Sequence, residues 1–185
     1  MHFTKQLKLE QVLPNLFCYT THMKKLPLSE KLIEKDTYQV LVCSSPANIM
    51  VGFAAHTWFL INQKGKLTRR EVLHFKKDRA LSTGYLHTDY FEPFTGIEIW
   101  QHYTKYHWKG TVLDIITGDE HSVAAKMINC IERSSEEYPF TETYSLPGPN
   151  SNTYTQWVLT QFPQVTTRLP WNAFGKKFLF KNTKK

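Results

Sequence analysis

The chain has 185 residues, of which 41% are hydrophobic, 21% charged and 14% aromatic, a balance that suits one folded domain and excludes disordered and fibrous classes. Lys and Arg outnumber Asp and Glu by 23 to 16, for a net charge of +7. No apolar run reaches the roughly 18 residues that a membrane helix needs.

Residues 1–36 are mixed and Lys-rich and read as an N-terminal extension with a short helix near Leu28–Lys35. They show no continuous apolar stretch behind their basic residues, so they are not read as a secretory signal, and a cytoplasmic location is expected. One α+β domain is expected over 37–182, with 183–185 as the end of a basic tail. Tyr38-Gln39-Val40-Leu41-Val42-Cys43 reads as a strand closed by Ser44-Ser45-Pro46, and Gly52 to Ile61 as a second strand. The turn Asn62-Gln63-Lys64-Gly65-Lys66 leads into Arg70-Glu71-Val72-Leu73-His74-Phe75, which makes a β-hairpin. Residues 83–108 are aromatic-rich and weakly periodic and read as a long packed loop region with room for one short strand. Lys109–Thr117 is a further strand. A helix opened by Asp119 follows, with Val123, Ala124, Met127, Ile128 and Ile131 as its apolar stripe. Ser134–Pro149 reads as loop. A second helix starts near Asn150–Ser151, ends before Pro163 and turns Tyr154, Trp157 and Val158 inward. Phe178-Leu179-Phe180 is a last apolar segment. Antiparallel strands with segregated helices define the α+β class.

Cys18, Cys43 and Cys130 are sparse and widely spaced, which argues against a disulfide framework or a zinc knuckle and for a reducing compartment. The charge is uneven. No acidic residue follows Glu142, while Arg168, Lys176, Lys177, Lys181, Lys184 and Lys185 do, so the last 43 residues carry +6. With no Arg-rich run and no binding motif, this reads as a solvated basic tail rather than a nucleic-acid footprint.

Pro147-Gly148-Pro149-Asn150-Ser151-Asn152-Thr153 carries the most information. Prolines and a glycine set a turn, and small polar residues then open a helix, whose N-terminal N–H groups can hold an anion or assist a nucleophile. Asn150 or Ser151 can equally be a plain helix cap. His56 shares a strand face with Trp58 and Leu60. If the hairpin turn is centred on Gly65, His56 faces His74 across the ladder. A one-residue shift of the turn breaks that pairing. A histidine oriented by a polar group and reaching a helix-terminal nucleophile is the layout of a generalised triad. Two ordinary half-buried histidines are the alternative.

Ala55-His56-Thr57-Trp58, Tyr138-Pro139, the PGPNSNT segment, Leu169-Pro170 and Ala173-Phe174-Gly175-Lys176 together resemble a bacterial family known by its domain of unknown function and a PGPNSNTF-like signature. The resemblance runs from about Tyr38 to Phe180, with Tyr154 where Phe is usual and Phe174 where a smaller apolar residue is usual. The order of an early-strand His, a polar partner on the next strand and a nucleophile opening a late helix is also similar to circularly permuted papain-like enzymes. These include the NlpC/P60 and lecithin:retinol acyltransferase-like groups. That likeness implies a permuted papain-like arrangement with Ser151 as nucleophile, His56 as general base and His74 as the orienting group. Those enzymes use Cys. A Ser hydroxyl must instead lose its proton to His56 during attack.

Two functions follow as expectations. One is a hydrolase or acyl/amide-transfer enzyme using Ser151, His56 and His74. The other is a catalytically silent module of the same fold, binding a small molecule, peptide, glycan or anionic group at Asn150, Asn152 and Thr153 with Trp58. Neither cofactor nor metal is expected. His87, Asp89, Glu92, Glu98, His102 and His107 crowd one region, but Pro93, Ile97 and Ile99 favour strand and loop there, and the spacing matches no metal motif.

Overall fold

The structure, a computed structural model, describes residues 25–47, 53–76, 81–101 and 104–179. Cys18, His102, Tyr103, Phe180 and residues 183–185 lie outside that range. The first element is the two-residue strand β1 (Leu26–Pro27), followed by a single 3-10 turn at Glu30–Leu32, where a short helix is expected from the sequence. Next come β2 (Tyr38–Pro46), β3 (Ala55–Gln63), β4 (Lys66–Val72), β5 (Leu86–Thr88), β6 (Thr95–Gln101), β7 (Thr104–Lys109) and β8 (Thr111–Gly118). The helices are α1 (Val123–Glu132), the short α2 (Ser134–Glu137) inside the segment read as loop, and α3 (Ser151–Thr160).

Six strands form one sheet in the order β1-β8-β2-β3-β4-β5, and β6 and β7 form a separate two-stranded ribbon. The pairings are antiparallel throughout, which with the packed helices gives an α+β architecture. Leu26 and Pro27 pair with β8, so part of the segment read as an extension is a strand of the main sheet.

β2 and β3 are apolar on both faces because both faces are covered. Val40, Val42, Phe59 and Ile61 pack against Met127, Ile128 and Ile131 of α1 and Tyr154 and Val158 of α3. On the other face Leu41, Cys43, Trp58 and Leu60 form a second core with Val112 and Leu28. The β6–β7 ribbon lies against β2, and Ile97 N–H approaches Ser45 Oγ at 3.5 Å. The molecule is thus three layers: helices, sheet and ribbon.

Residues 83–108 correct the loop expectation, since they contain β5, β6 and β7. Ile99 pairs with Tyr106 and Glu98 with His107, but the register shifts between Thr95 and Glu98. That irregularity breaks the two-residue period by which a strand is recognised.

The β3–β4 hairpin turns on two residues. Gln63 pairs with Lys66, and Lys64 and Gly65 take φ of 51° and 91°, the positive values of a type I′ turn. Asn62 Oδ1 accepts from Gly65 N–H at 2.8 Å. The turn is centred between Lys64 and Gly65 rather than on Gly65, so Leu60 faces Arg69. β4 ends at Val72, before His74, and the cross-strand pairing of His56 with His74 that a turn centred on Gly65 would give does not form.

Candidate functional site

The start of α3 is fastened by its own sequence. Asn150 caps the helix: its Oδ1 accepts from Asn152 N–H at 3.0 Å and Thr153 N–H at 3.3 Å, and Thr153 Oγ1 accepts from Asn150 N–H. This capping box satisfies the donors that an anion or oxyanion would otherwise use. The Asn150 amide also donates to Ser145 O and Leu146 O, binding the preceding turn to the helix. Gly175 must be glycine: its φ is +92°, and a Cβ there would lie 2.5 Å from the Asn150 amide atoms. Asn152 is saturated, donating to Ala55 O and Phe174 O at 2.8 Å each and accepting from Thr57. Thr153 Oγ1 donates to Gly175 O at 2.9 Å. The PGPNSNT segment therefore knits together the turn before it, the first residues of β3 and the loop at 173–175.

Alternation along β3 then separates the residues proposed to work together. Thr57, Phe59 and Ile61 face the helices, and the Thr57 hydroxyl meets both Asn152 Oδ1 and Thr155 Oγ1 at 2.9 Å. His56 and Trp58 project from the opposite face. Ser151 is buried at the helix start, on the Thr57 side, and among the described residues no hydrogen bond joins it to His56.

His56 has a different partner. Its Nε2 lies 2.9 Å from Glu71 Oε2, and both side chains are buried. Arg69, fully buried beside them, donates from Nη2 to the same oxygen at 2.9 Å. Its Nε stands 2.7 Å from Glu71 Oε1 as a charge contact without hydrogen-bond alignment. Nη1 donates to Glu92 O and Thr95 O, and the guanidinium lies 4.5 Å from the Trp58 ring centroid. Burial alone pushes the Glu71 carboxyl up, but Arg69 and then His56 outweigh it and hold the carboxyl below its ordinary value. Trp58 is completely buried beneath this network and presents no surface to a ligand. His74 is exposed and contacts Phe75, and partial desolvation and the nearby His56 lower its pKa.

Glu71, Arg69 and Thr57 escape the sequence reading because that reading fixes on His74. A two-residue turn at Lys64-Gly65 is the signal that finds Arg69 and Glu71, since it puts Leu60 opposite Arg69 and therefore Glu71 on the face of His56, whereas no local pattern places Thr57 against α3. A second feature lies beside α3. Phe53, Trp171 and Phe174 are exposed, Phe53 touches each of the other two, and Asn152 and Thr153 hold the loop that carries those two.

Among the described residues no three His, Cys, Asp or Glu side chains come close enough to hold a metal ion. His87 bonds Ser82 Oγ and Phe75 O instead. No helix of the described residues is long and apolar enough to cross a membrane. A family model described as a protein of unknown function, DUF3750, matches residues 37–178. Neither a curated protein nor a solved structure matches the chain.

Proposed function

The chain belongs to the DUF3750 family, proteins of unknown function, and on that premise we propose that it is a catalytically silent binding module whose ligand docks on the aromatic loop fastened to the start of α3. One observation carries this reading: the strand residue that meets the helix start is Thr57, bonded to Asn152 and Thr155. A threonine there cannot act as a base at neutral pH, and the imidazole one residue away is turned to the other face. In this reading β3, β4 and α3 keep a permuted papain-like order, and their meeting point carries Thr57, Asn152 and Thr155 in place of base and nucleophile. The capping box supports the same view, since the helix N–H groups it occupies are those an oxyanion site needs. The ligand is a peptide, glycan or anionic group that binds the exposed aromatic loop, which Asn152 and Thr153 hold in place from buried positions.

The test is direct. A fluorophosphonate probe for activated serines is expected to leave Ser151 unlabelled, and the Trp171 indole N–H resonance to move with at least one of chitotriose, trialanine and inorganic phosphate. Labelling at Ser151 that disappears in His56→Ala sinks the binding-module reading in favour of a hydrolase.

A further inference from the structure

Phe53, Trp171 and Phe174 are 53%, 73% and 44% exposed. Phe53 touches the other two, with ring centroids 5.2 Å from Trp171 and 5.8 Å from Phe174. So large an exposed indole is uncommon, because Trp is highly buried on average. The segment that holds these rings is not loose. Ala55 N–H donates to Asn172 O at 3.0 Å, the Asn172 amide donates to Phe53 O at 2.6 Å, and Asn152 donates to Phe174 O. The fold fixes three rings outward.

The sequence that carries the two C-terminal rings has charge of one sign, and the carboxylate placed nearest by a hydrogen bond is Asp114 of β8, which accepts from Thr167. No acidic residue occurs in the sequence after Glu142, and Arg168, Lys176 and Lys177 flank the two C-terminal rings. Among the described residues none of these three cations forms an ion pair. The Lys176 ammonium donates to Leu169 O and Pro170 O in the turn that leads into Trp171, and no carboxylate of the described residues pairs with it.

We infer that this face docks on an anionic lipid surface, with Phe53, Trp171 and Phe174 seated at the headgroup–acyl boundary and Arg168, Lys176 and Lys177 facing the phosphates. A ring 73% exposed projects outward instead of lining a cleft, and that favours a broad, deformable occupant over a ligand enclosed by walls. Single-stranded nucleic acid is the competing anionic partner, but it asks for a basic groove with stacking rings along it. The inference rests on reading the aromatic loop beside the α3 start as a binding site and names the partner of that site.

The experiment is co-sedimentation of the full chain with large unilamellar vesicles at low salt. Vesicles of phosphatidylglycerol and phosphatidylcholine are compared with phosphatidylcholine alone. Anionic vesicles are expected to bind about a hundredfold more tightly, from three cations near the surface. Trp171→Ser and Phe53→Ser, both at exposed positions, are each expected to weaken that binding about tenfold through lost apolar burial. Lys126→Ser, at an exposed position on α1, is expected to change nothing. Wild-type protein that ignores anionic vesicles overturns the inference. So does vesicle binding that survives both aromatic substitutions, or a single-stranded oligonucleotide that binds through Trp171 while vesicles do not. Failure with vesicles while chitotriose or phosphate still moves the Trp171 indole removes the lipid inference and leaves the binding-module reading. Labelling of Ser151 by the serine probe removes that reading without touching the vesicle result.

Discussion

The Thr57 hydroxyl donates to Asn152 Oδ1 across 2.9 Å, tying the start of a central strand to the first turn of α3. Both side chains are buried, and the remaining donors of Asn152 go to two backbone carbonyls. Thr57→Val keeps the shape but leaves a buried amide oxygen unpaired, and a loss of about 1–3 kcal/mol is expected. Thr57→Ser, which keeps the hydroxyl, is expected to recover most of that loss. Urea unfolding at unchanged m-value checks the pair, and equal losses for both variants would count against the bond.

The signature segment is expected to act through stability. Asn150→Ala removes the cap and two bonds to the preceding turn, for a loss of about 2 kcal/mol. Ser151→Ala removes a hydroxyl with no side-chain bond among the described residues, and a change below about 1 kcal/mol is expected. Thermal melts of the two variants side by side decide it. A larger loss at Ser151 than at Asn150 would show that the hydroxyl does something the geometry does not display.

The buried ion network gives the stability a definite acid limb. Glu71 ionises more readily in the folded state than in the unfolded chain, whose carboxyl titrates near about 4.3. A depressed folded pKa contributes stability that is complete above the unfolded value and is lost as pH falls through the folded one. Glu71→Gln strands the fully buried Arg69 charge, and a loss of about 3–5 kcal/mol is expected at pH 7. The gap between wild type and variant is then expected to narrow below about pH 4.3, as the wild-type carboxyl takes up its proton. A gap that stays constant from pH 7 to pH 3 contradicts an ionised Glu71.

Much of the architecture is legible in the residues, and the misses share one cause. Tyr38–Cys43, the His56 strand, the stripe of α1 and the start of α3 each carry their period within one element, so local pattern suffices. The site depends on register between elements, which a single residue decides. Whether the turn is centred on Gly65 or between Lys64 and Gly65 exchanges His74 for Glu71 as the group facing His56. Alternation makes His56 and Thr57 point in opposite directions, so which of them meets α3 depends on where the helix packs, and no local pattern states that. β6 and β7 were hidden by the irregularity after Thr95. Trp58 is unavailable to a ligand because Arg69 covers its ring and Leu28, Cys43 and Val112 share its core, a covering that no pattern within β3 states.

Cys43 provides the last check, because it lies on the sheet face that His56 also uses, on β2, with β3 between it and the Arg69 and Glu71 of β4. Burial pushes its thiol up to about 12, and the opposing pull of Arg69 is too weak to restore an ordinary value. At pH 8 the thiolate fraction is therefore about three orders of magnitude below that of a free cysteine. Cys130 is also raised, chiefly by burial. In a Cys18→Ser background, which removes the thiol outside the described residues, native protein is expected to react with iodoacetamide only as fast as it opens, and both thiols to react at once in urea. Cys43 labelling at the rate of a free thiol in the folded protein would reverse the electrostatic argument. The oriented His56–Glu71 pair would then have a thiolate on its own face of the sheet, and Cys43 would become the nucleophile to test.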